Sequence, residues 1–167
     1  MTTLTSADYR LEPFDTATWH ARPRAVYAHW RGLPRTNGPL PARGSFDAFA
    51  VPGALGWLWL HDVERAPFRL RSRLFGSLLA QCVGTDITGE YLDARPLVDA
   101  GRPLDIDRLR ASAIDGRPTW TRKGLELAHG QSWAEVESLI LPFAADGHTP
   151  DMVLGVSTYY RSDGSVV

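Results

Sequence analysis

Leu55-Gly-Trp-Leu-Trp-Leu-His-Asp-Val-Glu-Arg-Ala-Pro-Phe-Arg-Leu-Arg-Ser-Arg-Leu-Phe-Gly76 reads as two β-strands facing each other across one tight turn. The first arm is apolar on both faces, with Trp57 and Trp59 on one side and Leu58 and Leu60 on the other, the pattern of a strand covered twice. The second arm alternates. Phe68, Leu70 and Leu74 are expected on a buried face and Arg69, Arg71 and Arg73 on the opposite one, the period of two that a half-buried strand requires.

Upstream of the hairpin, Trp19, Val26, Trp30 and Leu33 recur at helical spacing with arginines between them, which predicts an amphipathic helix starting at Pro23. Gly32 to Gly44 holds three prolines and three glycines and is expected to be an irregular connector. Asp47 is placed to cap a short turn through Ala50, which Pro52-Gly53 should end. Downstream, Ser77–Val83 predicts a short helix closed by Gly84, and Asp105 to Ile114 a second one, with Ile106, Leu109 and Ala113 on one face and Gly116 beyond its end. Three more strands are expected at Pro118–Leu127, Trp133–Phe143 and Met152–Arg161, the last two joined by a turn at Asp146-Gly147. A hairpin, helices and then a three-strand meander predict an α+β fold: a five-stranded antiparallel sheet with short helices on one face and an N-terminal helix. The expected division is a lead-in over 1–23, the domain over 24–161 and a tail over 162–167.

The 167 residues suffice for one core without metal or disulfide support, and the lone Cys82 cannot close an internal disulfide, so a cytoplasmic location is expected. A formal net charge of −1 provides no general attraction for phosphate backbones or anionic lipid, so neither nucleic acid nor membrane is expected as a partner. The amino terminus lacks the charged start and apolar run of a secretory signal, and no stretch is long enough to span a bilayer.

Catalytic signatures are absent. Gly84-Thr-Asp-Ile-Thr-Gly89-Glu90 has phosphate-loop glycines but a glutamate where lysine should reach the phosphates. The histidines at 20, 29, 61, 129 and 148 show no zinc-binding spacing, and no Gly-x-Ser-x-Gly elbow occurs. Cys82 reads as a packed thiol; Glu135 and Glu137 read as a solvated strand edge, and Asp105 and Asp107 as acids suited to the positive end of a helix. The arginine row should pair with Asp62, Glu64 and Asp86, with Arg73 to Asp86 as the specific expectation, or else meet an anionic ligand. Six tryptophans are many for this length; most are expected in the core and a minority to line a pocket. The candidate ligand-contacting residues are Trp57, Trp59, Arg71, Arg73, Tyr91 and Trp120.

The order and spacing of Tyr27-Ala-His-Trp30-Arg-Gly, Leu40-Pro41-Ala-Arg43-Gly-Ser-Phe46-Asp47, Phe68-Arg-Leu-Arg-Ser-Arg73-Leu-Phe-Gly76, Gly84-Thr-Asp86-Ile-Thr88-Gly89 and Leu139-Ile-Leu-Pro142-Phe-Ala-Ala-Asp-Gly147 resemble a PAS-like family of mostly single-domain bacterial proteins, chiefly alphaproteobacterial. The resemblance implies a sensory or regulatory role with a ligand cavity between sheet and helices. Two positions depart from it: Ser72 stands where that family usually has an aromatic, and Ser138 replaces a usual arginine. Without an Asn-Cys-Arg-Phe motif a flavin is not expected, nor are haem or zinc. The leading expectation is a non-catalytic sensor binding a small molecule or a partner protein, with a homodimer through the N-terminal helix as a further option. The alternatives are a small isomerase- or hydrolase-like enzyme using His61, Asp62 and Arg71 on a curved sheet, and a pure interaction protein using the helix around Trp30.

Overall fold

The computed structural model describes residues 9–94, 106–124 and 133–167. The hairpin forms as two eight-residue strands, β2 (Leu58–Arg65) and β3 (Phe68–Phe75), joined by Ala66-Pro67. Around it lie β1 (Arg10–Leu11), β4 (Thr119–Gly124), β5 (Trp133–Phe143) and β6 (Met152–Arg161), in one antiparallel sheet of order β1-β4-β5-β6-β2-β3. Five of these strands are the expected ones. The sixth, β1, is two residues of the segment expected to be a lead-in, paired to Trp120 and Thr119. The first eight residues, Asp105 and positions 125–127, which the expected elements included, lie outside the described residues.

Register assigns each side chain to a face. One face, here the inner one, carries Trp59, His61 and Val63 of β2, Val153, Gly155, Ser157 and Tyr159 of β6, Val136, Ser138 and Ile140 of β5, and Thr119 and Thr121 of β4. The other, outer face carries Leu58, Leu60 and Asp62, then Leu154, Val156 and Thr158, then Glu137, Leu139, Leu141 and Phe143, and finally Trp120. Both faces of the two central strands are covered, so β5 and β6 are buried over most of their length and read as almost continuous apolar runs.

On the inner face sits α3 (Ile106–Ala113), which buries Leu109 and Ala113. The short helix α2 (Ser77–Val83) ends at Gly84 with φ +87°, a left-handed closure that glycine adopts without steric cost. The outer face is covered by α1 (Ala21–Gly32), which buries Pro23, Val26, Tyr27 and Trp30. It starts two residues before Pro23 because the His20 ring caps it, Nδ1 accepting from the Arg22 amide, while proline in the first turn has no N–H to satisfy. At the other end the Arg35 guanidinium donates to the carbonyls of Trp30, Arg31 and Leu33. Asp47 caps the turn Ala48–Ala50, which ends before Pro52 as expected, and Pro52 then opens a further 3-10 helix, Pro52–Trp57.

The expected phase of β3 holds only to Ser72. Leu60 faces Leu74 but His61 faces Ser72, so Arg73 is an extra residue bulged out of the ladder. The bulge reverses the facing of the last two residues of the strand. Leu74, expected in the core, is 41% exposed on the outer face, and Phe75 turns inward opposite Trp59.

Candidate functional site

The inner face is a covered surface that is not uniformly apolar. His61, Ser72, Ser138, Ser157, Thr119 and Thr121 are all buried there among aliphatic and aromatic side chains. Trp59 lies over Gly155: a Cβ built on that glycine would fall 1.8 Å from Trp59 Cε2. Its indole Nε1 donates to Ser157 Oγ at 3.3 Å, and its ring stacks on His61 with centroids 4.6 Å apart. Trp57 and Trp133 both pack against Tyr159, and Trp133 Nε1 donates to the Cys82 carbonyl, which ties α2 to the sheet. From α3 the buried Arg108 guanidinium donates to Thr119 Oγ1, to the Thr119 carbonyl and to the Ser138 carbonyl.

His61 is held neutral. Burial lowers its pKa to about 4, against smaller opposing effects of the Leu60 carbonyl and Asp62. Its Nδ1 lies 3.0 Å from the Leu60 carbonyl, which can only accept, so Nδ1 carries the proton and Nε2 presents a lone pair. Because the folded pKa is below the unfolded value of 6.5, this group favours the fold fully above pH 6.5 and loses that contribution as pH falls towards about 4. Urea titrations should show the wild type losing about 3 kcal/mol more across that window than His61→Leu. Equal slopes in the two proteins would refute a neutral, buried imidazole.

The six candidate ligand contacts fall in different places. Trp59 is on the inner face, and Trp57 is at its end under the Arg22 guanidinium, 4.2 Å from the ring centroid. Arg71, Arg73 and Tyr91 gather on the outer side of the hairpin. Arg69 stacks on Tyr91 and pairs with Asp93, Arg71 donates to the Gly89 carbonyl, and the Tyr91 hydroxyl donates to Glu64. Arg73 pairs with Asp62 at 2.8 Å and not with Asp86, which instead accepts from the Thr88 amide and hydroxyl. Asp62 lies on the outer face of the neighbouring strand opposite Arg71, within reach of Arg73, while Asp86 is engaged within its own loop. Arg73 is well exposed and Asp62 only partly covered, so the pair is worth little and Arg73→Ala should shift the urea midpoint only slightly, whereas a large drop would contradict this.

Trp120 lies on the outer face, stacked on Trp19 at 5.3 Å. The residues of the enzyme reading separate likewise. His61 points inward while Asp62 and Arg71 point outward, so they do not meet. Trp30, the centre of the interaction reading, is 4% exposed and donates its Nε1 to the Pro142 carbonyl, so its stripe is buried on its own sheet.

With this geometry in place, comparison of the chain with protein families matches the PAS domain over residues 18–158, most of its length. The chain belongs to the PAS domain family. Among solved structures, the chain is similar to one titled "Structure of an RNA-binding Light-Oxygen-Voltage Receptor", with 17% identity and a TM-score of 0.46. The alignment covers 75% of this chain and 36% of that one, so the chain spans about a third of that structure's length. Comparison with curated proteins finds no match.

The residues of this PAS domain that sequence reasoning passed over are polar and buried. Glu137, expected on a solvated edge with Glu135, is fully buried on the outer face, whereas Glu135 is half-exposed and pairs with Arg122. The Glu137 carboxylate accepts from the His20 amide with both oxygens at 3.2 Å, from Trp120 Nε1 at 3.0 Å and from the Tyr160 hydroxyl at 2.6 Å. Burial and that carboxylate push the Tyr160 hydroxyl pKa up. Arg108 falls beside the apolar stripe of α3, and nothing in its neighbours marks it as buried. Cys82, read as a packed thiol, is half-buried against the core. Among the described residues, no group of three His, Cys, Asp or Glu side chains is arranged to hold a metal, and no helix is long and apolar enough to cross a membrane.

Proposed function

We propose that this PAS domain is a bacterial, cytoplasmic sensory module that receives a small molecule against the inner face of its sheet and catalyses no reaction. The observation that carries this reading is Ser72, fully buried on that face, whose Oγ is the one buried side-chain polar atom among the described residues without a hydrogen-bond partner. A sheet face selected only for stability would carry aliphatic residues there, because each buried hydroxyl costs free energy unless a partner satisfies it. For output, the reading assigns a protein partner or a second copy meeting the exposed side of α1, where Arg24, Ala28 and Arg31 lie. Ligand and output would then be coupled only through a difference in ligand affinity between two states of the module.

Native mass spectrometry of protein purified from its source tests the ligand part. A fraction carrying an adduct that denaturation releases is expected, and a uniformly bare protein would overturn it.

A further inference from the structure

Ser72 is fully buried, and its Oγ is the one buried side-chain polar atom among the described residues without a hydrogen-bond partner. Its backbone is fully used, the amide donating to the Glu90 carbonyl at 2.8 Å and the carbonyl accepting from the Gly89 amide at 2.6 Å, so the strand holds the hydroxyl in place. Directly opposite, on the same face, is His61, 4% exposed, with its Nδ1 engaged by the Leu60 carbonyl and its Nε2 lone pair uncommitted. Side chains facing each other across an antiparallel pair lie about 5 Å apart at Cβ, so one small group can reach both.

We propose that His61 and Ser72 together read an uncharged planar ligand through one edge that carries an N–H donor beside an acceptor, as in a fused nitrogen heterocycle or a lactam. This rests on the sensory-module reading and assigns the chemistry of its ligand. Three observations restrict the class. The Nε2 lone pair accepts, so the ligand must donate to it, and the Ser72 hydroxyl, which can donate or accept, is taken as the donor to the adjacent ligand atom. The donor must lie in the imidazole plane, and that ring is tilted only 29° from Trp59, which lies along the sheet over Gly155. A donor meeting the imidazole edge in its plane therefore approaches along the sheet, in the layer that Trp59 occupies, and a planar ligand can follow that layer. Charge is disfavoured. Of the charged residues of the hairpin, Asp62, Glu64, Arg69, Arg71 and Arg73 make their contacts on the outer side, Arg65 donates to the Ala113 and Pro150 carbonyls, and Arg108 on the inner face is engaged by Thr119 and Ser138. An ionic ligand would meet no free counter-charge from these groups. Burial also keeps His61 neutral, so the lone pair is present throughout the physiological range.

NMR titration of the full chain with three probes of similar size tests the edge: 7-azaindole (N–H beside a ring nitrogen), indole (N–H alone) and benzothiophene (neither). The wild type should bind 7-azaindole at least tenfold more tightly than benzothiophene, with indole between them, and 7-azaindole should shift the His61 Nε2 resonance. Ser72→Ala should bring 7-azaindole to within about twofold of indole while keeping or raising the urea midpoint, since the substitution removes an unsatisfied buried hydroxyl. Equal affinities for the three probes, or an undiminished preference in Ser72→Ala, would overturn the proposal. If no probe binds but source-purified protein carries an adduct, the ligand class is wrong and the module reading stands. If neither is seen, both fail, and a lone water accounts for the hydroxyl.

Discussion

Glu137→Ala should destabilise the protein by about 4 kcal/mol in urea unfolding, the size expected when a buried charged acceptor is removed and its donors remain buried. Three donors would be stranded: the His20 amide, the Trp120 indole and the Tyr160 hydroxyl. They come from the start of α1, from β4 and from β6, so one carboxylate holds the N-terminal helix and two strands to β5. Glu137→Gln keeps the shape and one acceptor oxygen, and should cost about half as much. Tyr160→Phe deletes one of the bonds and should cost about 1–2 kcal/mol. In amide exchange, the His20 N–H should lose protection in Glu137→Ala well before the β5–β6 ladder does. If Glu137→Ala were as stable as the wild type, the buried carboxylate would not act as a clasp.

The second large effect is expected at Gly155. Alanine there has ordinary strand geometry, yet its Cβ would overlap the Trp59 ring at 1.8, 1.9 and 2.4 Å from three ring atoms. The indole must leave the sheet, giving up its bond to Ser157 and its stack on His61. Gly155→Ala should therefore cost about 3 kcal/mol, the upper range for overpacking a well-filled core, and change the near-ultraviolet circular dichroism from Trp59. Combining it with Trp59→Leu should recover more than half of that loss, because the clash and not the backbone is at fault. A double mutant no more stable than Gly155→Ala would show that the glycine is needed for another reason.

Most of the framework was legible in the chain. Trp133–Phe143 and Met152–Arg161 were found to the residue because their β-branched and aromatic runs end in clear turn residues. The caps at Asp47 and Gly84 were equally readable, since each is decided within two to four residues, by the Asp47 side chain on the Phe49 amide and by the positive φ of Gly84 with its bond to the Ala80 carbonyl. The bulge was not. Arg69, Arg71 and Arg73 alternate as a regular strand would, and only the fit of β3 onto β2 reveals Arg73 as an extra residue. The site was hidden for a related reason. An arginine row and a tryptophan excess attract attention in a sequence, yet the arginines make their contacts on the outer side of the hairpin and Trp120 belongs to the outer face. Ser72 stands out in the chain only as a departure from the resembled family and His61 only as a residue of the enzyme reading, and the register of the hairpin is what sets them opposite each other.

Local periodicity thus determined the strands, the helices, the caps and the α+β class, because those depend on neighbours a few residues apart. The burial of Glu137, whose donor at His20 lies 117 positions away, the inward pairing of His61 with Ser72, and the flat seat of Trp59 on Gly155 were decided only by tertiary structure. A polar side chain becomes tolerable, or informative, inside a protein according to the partners that the whole fold brings to it.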